Sequence, residues 1–390
     1  MRREEQVSEC QRECATLYDC HGGEKLVPYL GAQRSVLLHI AKLQTYVRLG
    51  VRFGNVRYVR RWKQKPMLKE FVESCSTVRN SYSKNHPMNL AVKIIMNALY
   101  GKFLENKNDH SSTNIFTDPD LFVRAVAKST TRSFHMFSLV DNFLAVVNHH
   151  KGHGVVLNTA RAVGWAVLEL SKAHMYDQLY HGVLKMWSKP NQVQLLLMDT
   201  DSYYLRVETG DLMGDFHRAN RGDYGDFRVD TSKVNPQCPH KGKLGLLKLE
   251  DGAMIAYAGV TEKVYATLSA GEKGPQEEKK FKGIPKAAHK QLRFDDYRAI
   301  VHDRYTGLDK NGKPKTVSYY SLRSREHSLE HRHETKKSLA PASWKTHWIE
   351  DFRSRPLGHW RNTEMGPVQT AIILCISALV NLQTRWARSE

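Results

Sequence analysis

Residues 193–207 read VQLLLMDTDSYYLRV. Asp199 and Asp201 are separated only by Thr200, and each flank is an apolar run that favours a buried strand, so the stretch predicts a hairpin with two carboxylates at its tip. Like charges held so close repel, and the arrangement is tolerable only where something positive compensates it. Divalent ions would do so, Mg²⁺ in particular, which is held by one or two carboxylates together with substrate phosphates. The plainer reading is an Asp-rich turn, since Asp favours turns by bonding its own backbone. A calcium loop is excluded on spacing: Tyr204 falls where such a loop needs its glycine and Gly210 where it needs its last glutamate.

Upstream of this hairpin, Thr159 to Trp187 carries a long helical pattern, apolar enough to pack beneath a sheet, which Ser188, Lys189 and Pro190 stop. Residues 86–104, HPMNLAVKIIMNALYGKFL, have helical apolar spacing with Pro87 near the start, where its missing N–H is harmless. On that helix Lys93, Asn97 and Tyr100 are spaced i, i+4 and i+7, which at ~100° per residue keeps them within about 60° of one another. Ala91, Ile94, Ile95 and Ala98 lie on the other side and are expected to hold the helix against the body. An ammonium, an amide and a phenol on one stripe, with Gly101 admitting close backbone approach, suit a triphosphate and its sugar; a solvated helix face would look the same.

Downstream, a polar, turn-rich stretch at 209–242 leads into short strands in KLGLLKLED and MIAYAGVTEKVYATL. The connector SAGEKGPQEEKKFKGIPKAAHKQ is too dense in Gly and Lys to predict a strand core, and FDDYRAIVHDRY resembles a short helix. The whole reads as α+β with a small antiparallel sheet.

With 390 residues, 41% of them apolar, the chain can bury a substantial core in about two or three domains. Lys and Arg number 59 against 40 Asp and Glu, a formal charge of +19 spread along the sequence, which argues for a polyanionic partner, nucleic acid ahead of membrane. Six cysteines with no secretory leader point to a reducing, intracellular setting, the nucleus included. Cys10, Cys14, Cys20 and His21 match no common zinc spacing and read as free thiols; the His-rich stretches around His150 and His331 read as solvated surface. The apolar run 366–382 is shorter than the ~20 residues a span needs and carries Gln369 and Asn381, so no membrane partner is expected.

Two of these segments together resemble family B DNA polymerases. KIIMNALYG (93–101) looks like motif B, KxxxNSxYG, with Ala98 in place of Ser; LMDTDS (197–202) resembles motif C, YxDTDS, with Leu197 where the Tyr would be. TEKVYATL, with Lys263 and Tyr265, is similar to the KxY element that contacts the primer, and KKFKGIPK, with Lys282, to the basic segment after it. KLVPYLG, RLGVRFGNVRYVRRWKQKPMLKEFV and SLRSREHSL resemble the virus, linear-plasmid and mobile-element branch, typically protein-primed, and the likeness covers about residues 24–361.

The resemblance implies that Asp199 and Asp201 are the catalytic, Mg²⁺-holding pair of a two-metal site. It further implies that Lys93, Asn97, Tyr100 and Gly101 bind the incoming deoxynucleoside triphosphate, while Lys263, Tyr265 and Lys282 bind DNA. Its partners would be a DNA template-primer, nucleoside triphosphates and a terminal protein primer. It implies a right-hand fragment: fingers with motif B at 24–150, a palm with the catalytic hairpin at 151–270, a primer-binding, thumb-like region at 271–361, and unassigned ends at 1–23 and 362–390. Motif A, DxxSLYP, is not found. Its nearest counterpart, ECATLYD, puts Glu13 in place of the Asp, lacks the Pro and stands too near KLVPYLG. The expectation is therefore the C-terminal portion of a polymerase without motif A, with a non-catalytic, polymerase-derived nucleic-acid binder as the alternative. A metal-dependent nuclease or integrase fits less well, having no need of a triphosphate-gripping helix.

Overall fold

The computed structural model describes residues 9–20, 29–63, 65–107, 110–138, 143–150, 158–250, 254–271, 274–325, 327–341, 345–348 and 354–359. The tail at 362–390, its apolar run and most of KLVPYLG lie outside the described residues. The chain divides into two compact units: the first comprises residues 1–36, 184–323 and 331–390, the second residues 37–183 and 324–330.

Helix α1 (Glu9–Leu17) belongs to the first unit and is held there by polar contacts. The buried Tyr18 donates its hydroxyl to the Arg304 carbonyl at 2.6 Å, and Lys337 donates to the carbonyls of Tyr18 and Asp19 at 2.8 Å.

The second unit is helical with one small sheet. Helices α2 (Ile40–Arg48), α3 (Lys69–Asn80) and α4 (Pro87–Phe103) are followed by β1 (Ser111–Phe116), α5 (Pro119–Val126), β2 (Thr131–Ser138), β3 (Phe143–His150) and α6 (Arg161–Asp177). The strands form an antiparallel sheet in the order β1-β3-β2, and Phe122 and Ala125 of α5 pack on Ala145 and Val147 of β3. Residues 178–183 continue α6 as a π-helix, so the long helical pattern predicted over 159–187 is real but is interrupted in hydrogen-bond register. Among the described residues α6 packs against α2 and α4, where the sequence pattern suggested a covering sheet.

Helix α4 starts as its sequence requires. His86 caps it, accepting the Met88 N–H on Nδ1 at 3.1 Å, and Pro87 takes the first turn. Its orientation differs from the expectation. Ile94 and Ile95 are 57% and 51% exposed, and the covered side is Val92, Met96 and Leu99. The cause is that α4 is apolar over a wide arc on either side of its polar stripe, so periodicity does not select which apolar residues are covered; packing against α3 and α6 does. Gly164 allows the α6 contact: a Cβ there would stand 2.9 Å from the Tyr100 carbonyl.

The rest of the first unit begins with the helical turn α7 (Leu184–Met186), the hairpin β4 (Val193–Asp199) and β5 (Ser202–Val207), and α8 (Leu212–Arg221). The short parallel pair β6 (Val229–Asp230) and β7 (Leu247–Lys248) follows. An antiparallel sheet, β8 (Met254–Thr261), β9 (Val264–Ser269) and β10 (Gln276–Phe281), is covered by α9 (Lys286–His289) and α10 (Phe294–His302). Phe294, Tyr297 and Ile300 of α10 pack with Ala258, Val264 and Ala266 to make the core of this unit. The hairpin β11 (Thr316–Arg325) and β12 (Ser328–Lys337), whose tip at residues 324–330 is counted with the second unit, and the pair β13 (Thr346–Trp348) and β14 (Ser354–Pro356) complete the described chain. Strand β10 lies inside the stretch read as a connector. It is an edge strand bonded to β9, and an edge position satisfies its backbone without demanding apolar side chains.

Candidate active site

Two tight hairpins meet at their tips in the first unit. In β4–β5, Asp199 pairs with Ser202, leaving Thr200 and Asp201 as the loop. Thr200 has a φ of 56°, the left-handed conformation that two-residue hairpin loops call for and that a β-branched residue adopts at a cost. The Asp201 N–H bonds the Asp199 carbonyl at 2.6 Å, and the Ser202 hydroxyl donates to the same oxygen at 3.1 Å. Leu196 is an extra residue in the ladder, between the pairs Leu195–Leu205 and Leu197–Tyr204, and bulges of this kind re-aim the side chains that follow. The strands of the hairpin are half-buried rather than buried, except at Gln194, Leu195 and Arg206, which are exposed.

In β8–β9, Thr261 pairs with Val264, so Glu262 and Lys263 form the loop, with Lys263 at a φ of 62°. Its Nζ stands 3.1 Å from Asp199 Oδ1. The compensating positive charge that the paired aspartates demand is thus in part an ammonium from the neighbouring hairpin.

Behind the tips, tyrosines join the two hairpins. The hydroxyls of Tyr204 and Tyr265 are 3.1 Å apart, and the Tyr257 ring stacks on Tyr265 and tilts against Tyr204. Burial, and then the Tyr204 hydrogen bond, hold the Tyr265 phenol far above its ordinary range; burial, with Tyr204 beside it, pushes Tyr257 up to about 12. Both therefore act as neutral hydroxyls. Tyr204 and Tyr257 were not singled out by the sequence reading. One signal for Tyr204 is available: it stands directly across the ladder from Leu197, the position where motif C carries its tyrosine.

The third strand brings the remaining basic residues. The Lys282 N–H bonds the Lys263 carbonyl at 3.1 Å, and Lys280 lies opposite Tyr265. Asp199, Asp201, Lys263, Tyr265 and Lys282, read from three separate stretches of sequence, are therefore brought together around two adjoining hairpins of the first unit. Lys93, Asn97, Tyr100 and Gly101 lie on α4 of the second unit. All four are exposed, and a Cβ on Gly101 would meet nothing within 4 Å.

At the open end of the β4–β5 hairpin lies a cavity of about 470 Å³ whose lining includes Trp187, Lys189, Glu208, Thr209 and Asp215. Asp215 is buried and accepts hydrogen bonds from Trp187 Nε1 at 2.7 Å and the Thr209 hydroxyl at 2.6 Å, and it pairs with Arg218. One carboxylate so ties the end of the long helix to the segment that leaves β5.

The donor chemistry of Asp199 and Asp201 suits Mg²⁺, a hard cation that takes carboxylate oxygens. Among the described residues no third Asp, Glu, His or Cys joins them in a metal-binding group. Glu13, the nearest counterpart to a motif A carboxylate, lies on α1, where Arg304 reaches it at 2.8 Å and the Tyr305 hydroxyl also donates to it. The pair fits one Mg²⁺ completed by substrate phosphates, and falls short of the shared carboxylates that a two-metal centre uses.

The sequence profile of DNA polymerase type B, organellar and viral, matches residues 18–138. That stretch includes α4 with Lys93, Asn97 and Tyr100, and it ends before the Asp199 hairpin. No curated protein and no solved structure matches the chain. Among the described residues no helix is long and apolar enough to cross a membrane.

Proposed function

We propose, from the match of residues 18–138 to the profile of organellar and viral type B DNA polymerases, that the chain carries out template-directed nucleotidyl transfer to a primer 3′-end. The observation that carries the reading beyond the matched stretch is the meeting of Lys263 and Asp199 at 3.1 Å, with Tyr265 locked to Tyr204 behind them. A lysine that would hold a primer terminus stands against one of the carboxylates that would act on it, with its partner tyrosine fixed behind.

In this reading Lys93 and Asn97 grip the triphosphate, and Tyr100 lines its sugar and base, with Gly101 leaving the backbone open beside them. Lys263, Tyr265 and Lys282 hold the primer strand. Asp199 and Asp201 would bind Mg²⁺, which would supply neutralisation of the triphosphate and of the leaving pyrophosphate. The 3′-oxygen forms a bond to the α-phosphorus as the bond to pyrophosphate breaks, and positioning of the two reactants supplies much of the rate. The right-hand division into fingers, palm and thumb-like parts, priming by a terminal protein, and a site of action inside the cell where DNA is replicated belong to the same proposal.

A second reading has its own observation. Lys263 neutralises Asp199 and no third carboxylate joins the pair among the described residues, as suits a polymerase-derived protein that holds DNA without extending it. Primer extension with and without Mg²⁺, run beside Asp201→Asn, separates the two. Mg²⁺-dependent extension lost in the variant supports transfer; salt-sensitive DNA binding with no extension in either protein supports the binder.

A further inference from the structure

Between Lys25 and Lys69 the chain contains no Asp or Glu, and within it residues 51–65 read VRFGNVRYVRRWKQK. No helix or strand forms over 51–63. Every one of those residues is exposed, including the rings of Phe53, Tyr58 and Trp62 at 43%, 69% and 53%. Among the described residues, Arg52, Arg57, Arg61 and Lys63 make no hydrogen bond or ion pair, and Arg60 only leans over the Tyr58 ring at 5.9 Å. Exposed aromatic rings in solution cost free energy, and a row of uncompensated cations repels itself. Both costs vanish against one kind of partner, a flexible polyanion carrying flat apolar faces.

We propose that residues 51–63, together with Lys65, are a binding strip for single-stranded nucleic acid, without sequence preference. Phe53, Tyr58 and Trp62 supply stacking platforms for bases, and the interleaved Arg52, Arg57, Arg60, Arg61, Lys63 and Lys65 track the phosphates. Alternation of rings and cations along one exposed segment is what such binding uses, because every base has a π-face and every nucleotide a charge. Duplex DNA offers this strip its phosphates alone, since its bases are already stacked on one another. The inference deepens the polymerase reading by assigning the strip an unpaired strand such as the template ahead of the primer. It does not need catalysis.

The test is binding of fluorescein-labelled oligo-dT to the full chain in EDTA without nucleotide, so that the result stands apart from extension activity. Tyr58→Ala and Trp62→Ala are each expected to weaken binding by about fivefold to a hundredfold, the range for losing one stacking ring, and to leave duplex binding nearly unchanged. Arg57→Ala with Arg60→Ala and Arg61→Ala is expected to weaken both and to flatten the salt dependence. Photo-crosslinking of wild-type protein to iodouracil-containing oligonucleotide is expected to label the peptide spanning Phe53 to Trp62. Crosslinks that map elsewhere, with oligo-dT binding unmoved by the ring variants, overturn the proposal and leave the strip to a polypeptide partner.

Discussion

Lys263 Nζ and Asp199 Oδ1 stand 3.1 Å apart across the tips of two hairpins. Both side chains are more than a third exposed, at 54% and 36%, so water screens the pair and it contributes at most about 1 kcal/mol to stability. Lys263→Ala is expected to leave the melting temperature nearly unchanged. On the proposed function it weakens primer-template binding and lowers the slope of log K against log salt by about one. A melt shifted by many degrees would show that the pair is structural instead.

The first unit should weaken in strong alkali. Tyr18, Tyr257 and Tyr297 have their phenol pKa values pushed up to about 12, chiefly by burial. A raised folded-state value means that the folded protein keeps protons the unfolded chain gives up above about pH 10. Their contribution is fully present below that pH and is lost as pH rises from about 10 towards 12. Denaturant midpoints measured at pH 9, 10 and 11 are expected to fall, and Tyr257→Phe to make the fall shallower. A flat profile would contradict the burial argument.

Asp215 is the polar keystone behind the β4–β5 hairpin. Asp215→Ala strips the partner from the buried Trp187 indole N–H, the Thr209 hydroxyl and Arg218. Leaving a buried donor unsatisfied costs about 1–3 kcal/mol, and more when a charge is involved. Thermal unfolding should show a loss of that order, and Trp187→Phe with Asp215→Ala together should cost less than the two separate losses added.

In the second unit the ammonium of Lys42 meets Glu169 at 2.9 Å, with both side chains over nine-tenths buried, and Glu169 Oε2 makes no hydrogen bond. Removing one partner of such a pair strands the other charge. Lys42→Met is expected to destabilise by about 3–5 kcal/mol, and Lys42→Met with Glu169→Leu to recover most of it. Equal losses in the single and double variants would mean that Lys172, 3.6 Å from the same carboxylate, carries the compensation.

Elements whose signals are local were legible in the sequence. Helix α4 runs Pro87–Phe103 where spacing and Pro87 placed it, α10 forms within FDDYRAIVHDRY, and the two-aspartate loop closes the hairpin at 193–207. Elements whose signals are shared with distant partners were not. Strand β10 forms from QEEKKF because β9 supplies its hydrogen bonds, and the exposed Ile94 and Ile95 follow from which neighbours pack on a helix that is apolar over a wide arc. At the site, Asp199, Asp201, Lys263 and Tyr265 were named from motifs, but their convergence was not readable, nor were Tyr204 and Tyr257 between them.

The sequence by itself determined that two carboxylates sit on one tight bend, that the chain carrying them is basic, and which residue types share one stripe of helix α4. These are matters of spacing and charge count, set by bonds along the backbone. Only the tertiary structure decided that the cation beside Asp199 is the ammonium of Lys263 and that Glu13 spends its charge on Arg304. Coulomb interactions act between neighbours in space, and residues 64 or 291 positions apart become neighbours only when the chain folds.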